Sequence, residues 1–314
     1  MGELIPPILL LGNVRSGTSM VQGFFEMCPG VRAWFEPRTV WMYADPGRRH
    51  DRFTERDATA RVRGYIRGRF LRKQRELGAR VMEKTPSNVM RLPYVHAIFP
   101  ECRPVYIVRD PLAQVSSAEL RSRNAINPRH ARRRILETPL TQLHYYAWRA
   151  FWDHFRTKVL REKYVSVWGV RYPGIYEDLR SVSREEVIAR QWAACSRQMG
   201  EDIAALPPGL VHTVRYEDLV REPARHFAAM CAHVGIDPGA SVLERVAASA
   251  DAGRRGKWMR LEPEVIRAIL PVVREEMARH GYEAPEDLPD EAARAAAAAG
   301  ATSASGPGST RRGS

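Results

Sequence analysis

The stretch Ile8-Leu9-Leu10-Leu11-Gly12-Asn13-Val14-Arg15-Ser16-Gly17-Thr18-Ser19 decides the fold class. Four unbroken apolar residues ending in a glycine read as a buried parallel strand. Beyond them Met20, Phe24 and Cys28 recur every fourth position, with Val21 and Phe25 beside them. That is the buried stripe of a helix, and Pro29-Gly30 stops it. Between strand and helix the glycines are spaced as in GxxxxG, so the free N–H groups of the helix N-terminus face the loop. Such a loop is an anion site, to which Thr18 and Ser19 add hydroxyls.

The loop differs from one that holds a nucleoside triphosphate. There a lysine follows the second glycine and the next Ser/Thr meets Mg²⁺. Here Thr18 takes the lysine's place, and the cation is Arg15, two residues before the glycine. Asp110 is the nearest candidate for an acidic metal ligand after a strand, but it sits between Arg109 and Pro111. The loop therefore reads as a cradle for an anion without a metal. Lacking GxGxxG, it is a weak dinucleotide site.

Outward from the loop, strand patterns recur at Arg80–Glu83, Val105–Val108 and Val211–Arg215. Helical patterns lie between them. Ser87 is placed to cap a helix toward Phe99 that Pro93 must kink or interrupt. Another helix begins near Pro111. Ile188, Trp192, Cys195 and Met199 mark a third, Pro223 starts a fourth, and Pro263 starts a last one, kinked at Pro271. Strands alternating with helices predict an α/β fold with a mostly parallel sheet, whose ligands bind at the carboxyl ends of the strands.

Of the 314 residues, 44% are hydrophobic and 27% charged, the balance of a globular protein. No stretch approaches the roughly 18–20 unbroken apolar residues of a membrane span. Ile8–Leu11 is too short for a signal-peptide core and lacks a basic lead. The four cysteines have no CxxC spacing, which argues against a zinc cluster or a disulfide framework. A cytoplasmic protein with reduced thiols is the expectation. The net charge of +13 favours anionic partners, whether nucleic acid, phosphorylated cofactors or sulfated and acidic substrates.

Residues 1–284 are expected to form one domain. The arginine-dense segment 45–78 and the aromatic, basic segment 129–182 read as insertions around an acceptor site, or else as a solvated helix face and an ordinary aromatic cluster. Residues 285–314, rich in Ala, Gly, Ser and Arg, read as a disordered tail.

Two further anchors follow strands. Arg109 ends Val105–Val108, with Ser117 eight residues on, about two helical turns. A guanidinium there is suited to a phosphate or to a neighbouring carboxylate. Tyr216-Glu217-Asp218-Leu219 follows Val211–Arg215, and Tyr216 is placed to pack on a purine. Arg254-Arg255-Gly256-Lys257-Trp258 is either an exposed basic turn or a closure over a phosphate.

Together these segments resemble the sulfotransferases that use 3′-phosphoadenosine 5′-phosphosulfate (PAPS). Arg15-Ser16-Gly17-Thr18-Ser19 is similar to that family's 5′-phosphosulfate loop, and Arg109 with Ser117 to its 3′-phosphate motif. Glu83-Lys84-Thr85-Pro86 and Tyr216-Glu217-Asp218-Leu219 are similar to its K-T-P and YEDL segments. The order is the family's, from residue 7 to about 282. Val31-Arg32-Ala33-Trp34-Phe35-Glu36-Pro37-Arg38 resembles the tyrosylprotein and carbohydrate branch, in which a glutamate 21 residues after the loop cation is the base. The histidine that cytosolic small-molecule sulfotransferases carry after K-T is absent.

The resemblance implies a P-loop-like three-layer α/β/α fold and sulfuryl transfer to an acceptor hydroxyl of a carbohydrate, small molecule or peptide. It implies Glu36 as base, with Arg15 and Lys84 as catalytic cations. Arg15, Ser16, Gly17, Thr18, Ser19, Arg109, Ser117, Tyr216, Arg255 and Lys257 would hold the donor, with no metal. The basic turn departs from the family's RKG loop, which weakens Arg255 and Lys257. Two rivals predict other behaviour. A P-loop kinase would need Mg²⁺ and ATP, and a nucleic-acid-binding protein would show salt-sensitive binding.

Overall fold

The computed structural model describes residues 3–122, 169–249 and 257–288. Five strands, β1 Ile8–Gly12, β2 Val31–Phe35, β3 Arg80–Lys84, β4 Val105–Val108 and β5 His212–Arg215, form one sheet in the order β2-β3-β1-β4-β5. Every pairing is parallel. Four strands fall where the sequence places them. The fifth, β2, is an edge strand whose exposed Arg32 breaks the apolar run, which hid it from the pattern.

The sheet is covered on both faces, as an all-parallel sheet requires. Alternate residues of β1 separate the two sides. Ile8 and Leu10 pack with Met82, Val105 and Ile107 on α1 Thr18–Glu26 and on α9 Pro223–His233, which carries Phe227 and Met230. Leu11 packs on the opposite face with Tyr106 and Val108, under α5 Pro111–Ser122, α7 Arg184–Ala204 and α11 Pro263–Arg279. Leu9 faces the β2–β3 end of that side, where Trp34, Trp41 and Phe99 join Ile66 and Phe70 of α3 Ala60–Leu77. The result is a three-layer α/β/α arrangement. The remaining helices are α2 Arg38–Trp41, α4 Leu92–Ile98, α6 Ile175–Ser181, α8 Tyr216–Arg221 and α10 Ala240–Ala248.

Three expectations acquire a physical form. Pro93 does interrupt the 87–99 pattern: a 3-10 turn spans Pro86–Met90, and α4 begins afresh with the proline in its first turn, where the missing N–H costs nothing. Ser87 caps nothing; its hydroxyl donates to Asp51. At Pro271, where the sequence predicts a kink, α11 runs on, the proline lying on the exposed side, where water can meet the carbonyl it leaves undonated.

Segment 45–78 lies within the crossover from β2 to β3. Val62, Ile66 and Phe70 turn α3 onto the sheet, and several of its basic side chains have acidic partners, such as Arg67 with Glu101 and Lys73 with Glu76. All four cysteines are buried free thiols. Among the described residues no helix is long and apolar enough to cross a membrane.

Candidate active site at the carboxyl ends of the strands

Each of the five strands delivers one of the singled-out residues at its carboxyl end. β1 runs into the Gly12–Ser19 loop, β2 into Glu36, β3 ends on Lys84, β4 precedes Arg109, and β5 precedes Tyr216. The chain leaves β1 toward β3 and β2 and later returns to β4 on the other side. The loop therefore stands at the topological switch point, where parallel sheets bind ligands.

Close approach explains both loop glycines. A Cβ on Gly12 would lie 2.6 Å from Ser16 Oγ and 3.0 Å from the Ile107 carbonyl. Gly17 sits at φ 98°, and a Cβ there would meet the Cδ2–Cε2 edge of Tyr216 at 2.4–2.6 Å. The helix α1 then begins with no side-chain cap and no acid in its first turn, so its N–H groups and dipole are left for an anion.

Arg15 reaches across the loop, its Nε donating to Ser117 Oγ at 3.0 Å. Arg109 Nη1 donates to the Arg15 carbonyl at 2.9 Å, and its guanidinium covers the Tyr216 ring at 4.3 Å. The loop, Arg109 and Ser117 thus form one cradle. Tyr216 is buried, with an edge on Gly17 and a face under Arg109, so it braces the cradle. Three buried polar atoms of the cradle, Asn13 Nδ2, Ser16 Oγ and Arg109 Nε, have no partner among the described residues. Buried polar atoms without protein partners are places where a ligand or a water can bind.

On the β2–β3 side, Lys84 Nζ lies 3.3 Å from Glu36 Oε1 and donates to Ser19 Oγ at 3.2 Å. The lysine is buried and links the carboxylate to the anion loop. Arg15 (φ 67°) and Glu36 (φ 41°) are the two non-glycine residues with positive φ among those described. Such a conformation is costly, and strain of this kind collects at functional sites.

Sequence reasoning missed the group behind Glu36. Asp51 is fully buried and accepts from Arg38 Nη2 at 2.9 Å and from Ser87 Oγ at 2.7 Å. It also accepts from Arg171, through Nη2 at 2.7 Å, Nε at 3.0 Å and the backbone N–H at 2.8 Å. Burial by itself would raise its pKa, but Arg38, Arg171 and Arg91 outweigh that and hold the carboxyl well below the usual range. One carboxylate thereby ties the residue two past Glu36, the turn after Lys84 and the segment at 171. Only the position of Arg38 left a signal in the sequence. On β3, beside Lys84, Glu83 is also buried and accepts from Asn88 Nδ2 at 3.0 Å. Burial pushes its carboxyl up to about 7.

Arg254, Arg255 and the Lys257 side chain lie outside the described residues, as do most of 129–182, including Tyr145, Tyr146, Trp148, Phe151, Trp152, Tyr164 and Trp168, and the tail beyond 288. Among the described residues no three His, Cys, Asp or Glu side chains cluster to hold a metal.

The sulfotransferase family model matches residues 6–179 and 159–238, well over half of the chain. No curated protein matches significantly in sequence. Among solved structures, the sulfotransferase domain from the curacin biosynthetic pathway superposes with a TM-score of 0.51 at 13% identity, covering 90% of this chain and 100% of that one. A sulfotransferase from Mycobacterium avium gives 0.49 at 12% identity, covering 92% and 79%. One from Alicyclobacillus acidocaldarius gives 0.48 at 14% identity, covering 90% and 98%. The first of these supports the fold, and the family model carries the assignment: the chain belongs to the sulfotransferase family.

Proposed function

We propose that the enzyme transfers the sulfuryl group of PAPS to an acceptor hydroxyl, with Glu36 as base and without a metal. One observation carries the reading. Arg109 is buried, its Nε has no partner, and no carboxylate pairs with it among the described residues. Asp110 beside it offers a partial counter-charge but no ion pair; a buried cation without a close ionic partner is costly, and an anionic ligand in the cradle would offset that cost. The cradle fits a donor with two anionic ends. Arg109 and Ser117 would take the 3′-phosphate, while Arg15, Thr18, Ser19 and the α1 N-terminus would take the 5′-phosphosulfate.

Bound PAPS supplies an activated sulfuryl group whose leaving group is adenosine 3′,5′-bisphosphate. The acceptor oxygen forms a bond to sulfur as the bond from sulfur to the phosphate oxygen breaks, and the electron pair stays on the phosphate. Glu36 takes the proton of the hydroxyl. Lys84, in contact with both Glu36 and the loop, orients the carboxylate and faces the charge that develops on the leaving oxygen. Arg15 adds positive field from the other side. The acceptor would enter over β2 and β3, beside Arg38.

The test is transfer from sulfur-labelled PAPS to a panel of carbohydrate, phenolic and peptide hydroxyls in the presence of a chelator. Glu36→Gln should lower turnover by about 10²–10⁴-fold while adenosine 3′,5′-bisphosphate still binds. Near-normal turnover would remove Glu36 as base. Loss of all transfer on chelation would refute metal independence.

A further inference from the structure

Past α11 the chain turns back to the carboxyl end of β4. Gly281, at φ 69°, allows the turn, and Tyr282 N–H donates to the Met277 carbonyl at 2.9 Å. The Tyr282 ring is buried under the Arg215 guanidinium, 4.3 Å from its centroid. The tyrosine hydroxyl donates to Glu217 Oε2 at 2.7 Å, and the Val108 carbonyl lies 3.4 Å away.

The other oxygen of the same carboxylate, Glu217 Oε1, accepts from the Asp110 N–H at 3.2 Å. Asp110 Oδ1 in turn accepts from the Ala113 N–H at 2.8 Å, in the first turn of α5. The peptide unit between Arg109 and Asp110 is therefore held at both ends. Its carbonyl accepts from the Trp192 indole at 2.9 Å, and its N–H is held by Glu217. This unit sets where the Arg109 side chain leaves the backbone and where α5, carrying Ser117, begins. Tyr282 is the donor that orients the carboxylate holding one end, although it lies beyond the stretch that the family model matches.

We propose that Tyr282 is a positioning residue for the 3′-phosphate subsite, acting through Glu217 on the Arg109–Asp110 peptide. The inference rests on the donor reading above. Without the hydroxyl, Glu217 loses its orientation, the peptide unit gains freedom, and Arg109 and Ser117 are no longer preset for a phosphate on the ribose 3′ position.

The experiment is calorimetric binding of adenosine 3′,5′-bisphosphate and of AMP, which lacks the 3′-phosphate. It uses the full chain and Tyr282→Phe, which keeps the ring. The variant should bind the bisphosphate about threefold to tenfold more weakly, the worth of one hydrogen bond. Its AMP affinity should stay within about twofold, so that the preference for the 3′-phosphate narrows. A merely structural role would weaken both nucleotides alike or leave both unchanged, and either result overturns the proposal. If Tyr282→Phe does not fold, Glu217→Gln tests the same link and should narrow the same preference; an unchanged preference there overturns it. A wild-type protein with no preference for the bisphosphate contradicts the donor reading itself. A wild-type preference that the variants keep in full contradicts only the role of Tyr282.

Discussion

Arg109 and Asp51 are both buried ionic side chains at the carboxyl ends of the sheet, yet the protein treats them oppositely. Asp51 is surrounded by Arg38, Arg171 and Arg91 and has hydrogen bonds to both oxygens. Arg109 touches a backbone carbonyl and an aromatic ring, and its charge acts on the neighbouring Asp110 carboxyl, but it forms no ion pair among the described residues. A carboxylate with its charge met from several sides is a structural tie. A guanidinium with no ion pair among the described residues is a candidate receptor for an anion. Burial alone therefore does not single out a candidate functional charge; its pairing must be considered as well.

The largest effect is expected on the Asp51 side. Asp51→Asn leaves the arginines without their shared carboxylate, and removing one partner of a buried ion pair typically costs about 3–5 kcal/mol. Chemical denaturation should show a loss of that order. A loss under about 1 kcal/mol, the worth of a surface pair, would mean that the arginines are neutralised elsewhere.

Glu83, buried between the two regions, should show an intermediate effect that depends on pH. Its folded pKa, about 7, lies above its ordinary value of 4.5, so the folded state holds the proton more tightly. The cost of burying the charged form is absent below pH 4.5, grows between pH 4.5 and 7, and is complete above 7. Wild-type stability should therefore fall across that window, by up to about 3 kcal/mol. Glu83→Gln can still accept from Asn88 and should flatten the fall, gaining stability at pH 8 and little at pH 4. Parallel stability–pH curves for the two proteins would contradict the assignment.

The smallest change separates the two regions most sharply. Arg109→Gln should not lower stability by more than about 1 kcal/mol, while weakening adenosine 3′,5′-bisphosphate by about 1.5–3 kcal/mol, the range for a hydrogen bond to a charged group. A large stability loss with unchanged nucleotide affinity would make Arg109 a tie like Asp51, and the contrast would collapse.

The same contrast explains what the sequence reveals. The cradle joins a few short segments, residues 12–19, 109–117 and 216, each at a strand end and each with a local pattern of its own. Its glycines, Arg15 and the Arg109–Ser117 spacing are therefore legible as local patterns. The Asp51 group joins positions 38, 51, 87 and 171, which share no local pattern and meet only through the fold. Glu36 and Lys84 are legible as motif residues, but their 3.3 Å contact depends on the register of β2 with β3, and β2 is the strand that local patterning misses. Tyr216 shows the complementary limit. Its position is legible, but its packing on Gly17 and Arg109 belongs to the third dimension.

The most direct test of the account is calorimetric titration with adenosine 3′,5′-bisphosphate in the absence of metal, beside ADP with Mg²⁺. The account predicts tight, metal-independent binding of the bisphosphate and weak binding of ADP. A preference for ADP with Mg²⁺, or no nucleotide binding by well-folded protein, would contradict it.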